Sequence, residues 1–207
     1  MDEADPVRLG AAIAAIDAAN AEDPNELVVA GERAPKELLH SRMMTAWVTT
    51  LDPGADELQL LAARAHHFRR WTSPRSAAPE GRAGYLRWRT AARRRHAEEV
   101  GELLADHGYT LDEVARVGVI IRKEAMGTDP AVQTHEDALC LVFLETQLTL
   151  VAGQLGHDAT VDVLARTIRK MSPAGRSAAA GLDLDPTASD LLGHALGRVG
   201  TDEALGS

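Results

Sequence analysis

The sequence predicts an all-α protein, one helical bundle built around a single apolar helix, and three observations carry that expectation. Alanine and leucine dominate while β-branched residues rarely cluster, which favours helix over strand. Proline, glycine and asparagine fall at intervals that cut the chain into helix-length pieces. One segment, ALCLVFL from Ala138 to Leu144, is apolar on every side, as a helix at the centre of a fold must be. A chain of 207 residues with 45% apolar content fits a single domain over 1–207 with a real core.

Asp5-Pro6 opens the first helix, an acceptor at the cap followed by proline in the first turn. Val7, Leu9, Ile13 and Ile16 line one side of it as far as Asn20. The NAEDPN segment (20–25) is turn chemistry, because Pro24 cannot continue a helix. Residues 25–34 are mixed in character and are expected to be loop. Pro35 starts the second helix, KELLHSRMMTAWVTTL, with Leu38, Leu39, Met43, Ala46 and Trp47 as its core stripe. Glu37, His40, Ser41 and Met44 share an adjoining face at spacings of three and four.

Asp52-Pro53-Gly54 breaks the chain, and a third helix is expected from about 55 to 70. The loop TSPRSAAPEGRAG follows, too rich in proline and glycine to be regular. A fourth helix spans roughly 84–107 and stops at Gly108. Thr110 caps a fifth, with Glu113 completing a capping box. The central apolar helix covers about 131–155. A helix from 160 to 171, punctuation at Pro173 and Gly175, and a short amphipathic helix near 187–199 complete the chain, with the last residues loose. No repeat of 20–50 residues is present.

Net charge is −9, yet the ten arginines between Arg64 and Arg95 face one acid, Glu80, so that segment is +9 and the remainder −18. An acidic chain that gathers its arginines beside paired histidines is suited to hold a small anion. The same charge argues against general nucleic-acid binding. No apolar run approaches the roughly 20 residues of a membrane span, and MDEADPVRLG has no signal-peptide layout. The expectation is a cytoplasmic protein without a membrane partner. Cys140 is the one cysteine, a buried core thiol by its apolar setting.

Imidazoles and carboxylates supply the candidate chemistry. His40 lies on the second predicted helix, His66 and His67 end the third, and His96 lies on the fourth. Glu136 and Asp137 stand near the start of the apolar helix, where an acid is by default a cap. His40, His66, His67 and Asp137 can converge inside a bundle as a metal site. Such a donor set suits zinc, manganese or iron and leaves room for a water whose pKa the metal lowers. Glu37, three residues before His40, can orient it. His96 and Glu99 share a helix face, as a catalytic pair or as a surface pair. Arg69, Arg70, Arg75, Arg82 and Arg87 flank the loop after the histidines and match phosphate or carboxylate oxygens. Trp71 and Trp88 are either core residues or stacking surfaces for a base.

His40-Ser41-Arg42, LLAARAHH, His96-Ala97-Glu98-Glu99 and Glu136-Asp137-Ala138 together resemble the HD superfamily of helical metal-dependent phosphohydrolases. On that resemblance His40, His66 and Asp137 are metal ligands. His67 stands where the superfamily has aspartate, which changes the charge of the ligand set. The motifs NAEDPN, PKELLHSRMMTAWV, LQLLAARAHHFRRWTSPR, PEGRAGYLRWR, HAEEV and QTHEDALCLVFLE also resemble the domain-of-unknown-function family numbered 4202. That resemblance covers about 17–155, leaving 157–207 as a helical extension, and it implies an HD-like fold. The expected function is a metal-dependent hydrolase acting on a phosphorylated or nucleotide-like small molecule. An iron-dependent oxygenase and an anion-binding module without turnover are the alternatives.

Overall fold

The computed structural model describes residues 6–29 and 31–205. It is 75% helical and has one two-stranded sheet among the described residues, so the all-α class holds. Asp5, the expected cap of the first helix, lies outside the described residues. Two compact units are distinguished, residues 1–135 and 136–207.

The first unit begins with α1 (Pro6–Asn20), followed by β1 (Glu26–Val29), β2 (Glu32–Pro35), α2 (Lys36–Leu51) and α3 (Glu57–Arg64). α4 (Gly81–Asp106) and α5 (Leu111–Arg122) follow, and α6 (Pro130–Leu155) starts in this unit and ends in the second. α3 packs against α1, α2 and α5, while α4 packs on α5. Ile16, Leu61, Leu104, Val117, Ile120, Ile121 and Val132 are fully buried at the centre of that packing. A polar clamp ties three of these helices together. Arg8 bridges Glu57 and Glu113 (3.2 and 3.0 Å), its guanidinium lies 4.0 Å above the Tyr109 ring, and the Tyr109 hydroxyl donates to Glu57.

Several boundaries differ from the sequence reading. Residues 26–29 and 32–35 pair as an antiparallel hairpin, with Glu26 opposite Pro35 and Val29 opposite Glu32; Gly31 supplies a positive φ of 84° at its turn. On α2 the buried apolar residues are Leu38, Leu39, Met44 and Val48, whereas Ala46 is exposed and Met43 and Trp47 are half-buried. The core stripe is thus rotated toward the Glu37–His40–Ser41–Met44 face. α3 ends at Arg64, six residues short of expectation, and 65–69 are turns. α4 starts three residues early, at Gly81. Its Gly84 admits the Pro79 carbonyl, which a Cβ there would meet at 2.0 Å. The Thr110–Glu113 capping box is present as expected.

The second unit holds the rest of α6, then α7 (His157–Ile168), α8 (Pro173–Ala180) and α9 (Pro186–Leu205). α8 is a helix where only punctuation was expected, and α9 runs on to Leu205 rather than ending near 199. α7 packs on α9 through Val161, Leu164, Ala165 and Ile168 on one side and Leu191, Leu192, Ala195 and Val199 on the other. Cys140 is buried, as its setting implied. Contrary to the sequence reading, α6 has the length and hydropathy of a membrane-crossing helix. His135, Glu136 and Asp137 are nevertheless buried in its first turns, which suits a core helix rather than one facing lipid.

Candidate metal centre

The turn before the hairpin fixes the start of α2. Asp23 is buried; its Oδ1 accepts from Asn25 N–H and Nδ2 (2.9 and 2.7 Å), and its Oδ2 accepts from the buried N–H of Glu37 (3.1 Å). Lys36 N–H closes on Asn25 O at 2.8 Å. Pro35 has no side-chain acceptor, so the Glu37 amide is served by a carboxylate from another segment and the Lys36 amide by a backbone carbonyl. Glu37 is held at a defined position in consequence.

The Glu37 carboxylate is a hub. Its Oε2 lies 3.4 Å from His40 Nδ1, one turn along, and 3.2 Å from His67 Nδ1 in the turn that follows α3. Ligand atoms of these three residues lie within 4.8 Å of one another. Around a tetrahedral ion with bonds of about 2.0–2.2 Å, neighbouring ligand atoms stand about 3.3–3.6 Å apart, close to the observed edges. Burial alone pushes the Glu37 carboxyl up, but His67 and His40 outweigh it and hold the group well below its ordinary range. His67 is pushed down to about 4, by burial first and then by Arg70, with Glu37 pulling the other way. At neutral pH we take the carboxylate as ionised and the His67 ring as neutral, the forms a metal requires.

His66 and His67 part company because the chain leaves the helix between Arg64 and Arg69. Arg69 adopts a left-handed conformation (φ 48°), and its N–H is taken by Asn20 Oδ1 at 3.2 Å. His67 reaches Glu37, while His66 Nδ1 lies 2.7 Å from His135 Nε2, so one proton serves the two rings. His135 Nδ1 is buried with no hydrogen-bond partner among the described residues. Burial drives both rings well below their ordinary pKa. His96 is fully buried on α4, 6.1 Å from His67 between ring centres, and is pushed down to about 3 by burial, then by His67, Arg95 and Arg70. Five of the eight histidines therefore gather in one place.

The expected site residues are distributed unevenly. His40 and His67 meet at Glu37, and His66 belongs to the adjoining pair with His135. Asp137 lies in the second unit, where Oδ1 accepts from Ser172 N–H (2.9 Å) and Oδ2 from Ser172 Oγ (2.5 Å). Glu99 pairs with Arg95 (3.3 Å), and among the described residues no hydrogen bond or ion pair joins it to His96. Arg69, Arg82 and Arg87 are exposed, and Arg75 spends a donor on Ala78 O (3.0 Å). Arg70 is different. Burial pushes its guanidinium pKa down, with Glu37, Arg89 and Arg95 among the charges it senses. It lies 4.8 Å above the Trp88 ring, and Trp88 Nε1 donates to Ser73 O, pinning the loop to α4. Arg95 Nη2 approaches His96 Nε2 at 3.5 Å.

Sequence reasoning missed Glu37 as the centre of the cluster, His135, and Arg95. The i, i+3 spacing of Glu37 and His40 was a signal for the first; nothing local marks His135 as a partner of His66. A family model described as Domain of unknown function (DUF4202) matches residues 10–192. No curated protein and no solved structure matches the chain.

Proposed function

The chain belongs to the DUF4202 family, and from the site itself we propose that it is a metal-dependent hydrolase of a phosphorylated or nucleotide-like small anion. Glu37, His40 and His67 would hold one divalent ion, zinc, manganese or iron. The observation that supports this is a buried carboxylate within 3.2–3.4 Å of two imidazole nitrogens, with burial favouring the neutral state of His67. A bound ion of this class supplies Lewis acidity and a water molecule acidic enough to ionise near neutral pH.

The chain's own groups then divide the remaining work. Arg70 and Arg95 present positive charge beside the histidines and suit the oxygens of an anionic substrate. Arg70 stacks on Trp88, which limits its rotamers and orients its donors. Burial pushes His96 down to about 3, so at pH 7 its neutral ring offers one N–H and one acceptor nitrogen to a bound anion or water. Asp23 fixes Glu37 through its N–H.

The test is elemental analysis of protein purified without a metal-binding tag, followed by turnover of a phosphomonoester and nucleotide panel. One ion per chain fewer in Glu37→Gln and His67→Ala than in wild type, and phosphate release that requires that ion, are expected. A wild-type protein that neither carries nor takes up zinc, manganese or iron refutes the proposal. One observation favours a second reading: two imidazoles and one carboxylate are also the donor set of non-haem ferrous oxygenases. Iron with oxygen consumption and no phosphate release would select it.

A further inference from the structure

We propose that His157, Asp190 and His194 form a second metal site, on the surface of the second unit, for a borderline divalent cation such as zinc. This does not rest on the centre at Glu37. Asp190 and His194 are one turn apart on α9, with His194 Nδ1 3.3 Å from Asp190 Oδ2. His157, the first residue of α7, brings Nε2 to 3.9 Å from the same oxygen. Ligand atoms of the three residues lie within 4.8 Å of one another, and the imidazole rings sit 5.3 Å apart, edge to face. The 3.3 Å edge is already that of two ligands on one ion, and a small rotation of exposed side chains shortens the other.

Two further features point to a cation rather than to a chance surface cluster. The first is the orientation of His157. Its Nδ1 is hydrogen-bonded to Asp158 Oδ1 at 3.0 Å, which places the N–H on Nδ1 and leaves the Nε2 lone pair toward Asp190. A carboxylate behind a ligating imidazole is the usual support of a metal-bound histidine. The second is the rigidity of what carries the ligands. α7 and α9 run in step, since Asp162 meets Arg198 (2.5 Å) and Arg169 meets Asp202 (2.5 Å) farther along. Arg198, a cation on the same stripe of α9 as Asp190 and His194, is committed to Asp162. Two imidazoles select zinc, nickel, cobalt or copper over magnesium and calcium, which prefer oxygen.

The side chains of His157, His194 and Asp190 are 54%, 57% and 63% exposed, so their substitution leaves the fold intact. Zinc binding to the full chain, by calorimetry and by the zinc-induced rise in melting temperature, is compared between wild type and His157→Ala/His194→Ala. The double variant should lose one zinc equivalent and that part of the thermal shift, whatever the rest of the chain binds. Asp158→Asn should keep the equivalent but weaken it by about 10-fold or more, the usual effect of removing such a support. Magnesium should give neither signal. Equal zinc stoichiometry and equal thermal shift in wild type and double variant overturn the proposal. Cobalt offers a second readout: a visible band of nitrogen-ligated cobalt should be weaker in the double variant, and an unchanged band overturns it equally.

Discussion

Gly175→Ala is the sharpest perturbation the second unit offers. Gly175 is the third residue of α8, and a Cβ placed there would lie 2.6 Å from the Asp137 carboxyl carbon and 2.9 Å from both of its oxygens. Ordinary contact begins at about 3.4 Å, so the carboxylate must retreat by roughly 0.8 Å. It is buried and accepts from Ser172 N–H and Oγ, while the same Oγ accepts from Gly175 N–H at 3.1 Å. A retreat of that size breaks at least one of these bonds. Overpacking costs about 1–3 kcal/mol and a lost hydrogen bond to a charged group about 1.5–3 kcal/mol. The preference of a helix for alanine over glycine returns about 0.5–1 kcal/mol. Net destabilisation should be about 2–5 kcal/mol, read by urea unfolding followed by circular dichroism. In an Asp137→Ala background the same change should be neutral or stabilising, which makes the coupling between the two positions large. A Gly175→Ala protein within about 0.5 kcal/mol of wild type would falsify this account of Asp137.

Arg70→Ala should weaken phosphate or nucleotide binding by about 1.5–3 kcal/mol, whereas Arg82→Ala and Arg87→Ala, at exposed positions, should bind as wild type does; equilibrium dialysis with a labelled nucleotide separates them. Thr110→Ala removes the capping box of α5 and should destabilise by about 1 kcal/mol in chemical unfolding. The carboxyl of Asp129 is held below its ordinary value, first by Arg116 and then, against the opposing effect of burial, by backbone N–H groups. A depressed folded pKa gives stability that is present above the unfolded value near 3.9 and is lost as pH falls through the folded one. The stability gap between wild type and Asp129→Asn should therefore be constant above about pH 5 and shrink below about pH 4; a gap independent of pH in that window would count against the ion pair.

Much of the helical framework was legible because its signals are local. Pro35 ahead of an amphipathic run, Thr110 with Glu113, and the apolar stretch around Cys140 each act over a few residues. The end of α3 was not, since LLAARAHHFRR contains no breaker. The turn rests on distant groups: Asn20 takes the Arg69 N–H, and Arg64 is held by Asp17 through two bonds of 2.6 and 2.5 Å. In that turn the adjacent histidines serve two different partners, His66 with His135 and His67 with Glu37. The hairpin escaped because its strands are four residues each, no residue in them is fully buried, and the second, ERAP, does not alternate. α8 has a readable start, Ser172 as cap followed by Pro173, but proline and glycine two residues apart equally spell a break. At the candidate site, the sequence points to two of the three clustered residues, His40 and His67. Glu37 reads only as a support for His40, because one carboxylate in a helix gives no sign of being shared.

The base of the hairpin has a practical consequence. Lys36 N–H meets Asn25 O at 2.8 Å, so the chain departs at residue 26 and comes back beside its point of departure. The ten residues between them are an excursion rather than a route, and their ends are already spliced by a hydrogen bond. Loop-closure entropy changes slowly with length, and an exposed turn of this kind tolerates insertion. A reporter group or a peptide tag grafted at Gly31 should therefore leave Asp23, and through it the Glu37 carboxylate, where they are. The molecule thus offers a handle for labelling within a few residues of its candidate metal centre.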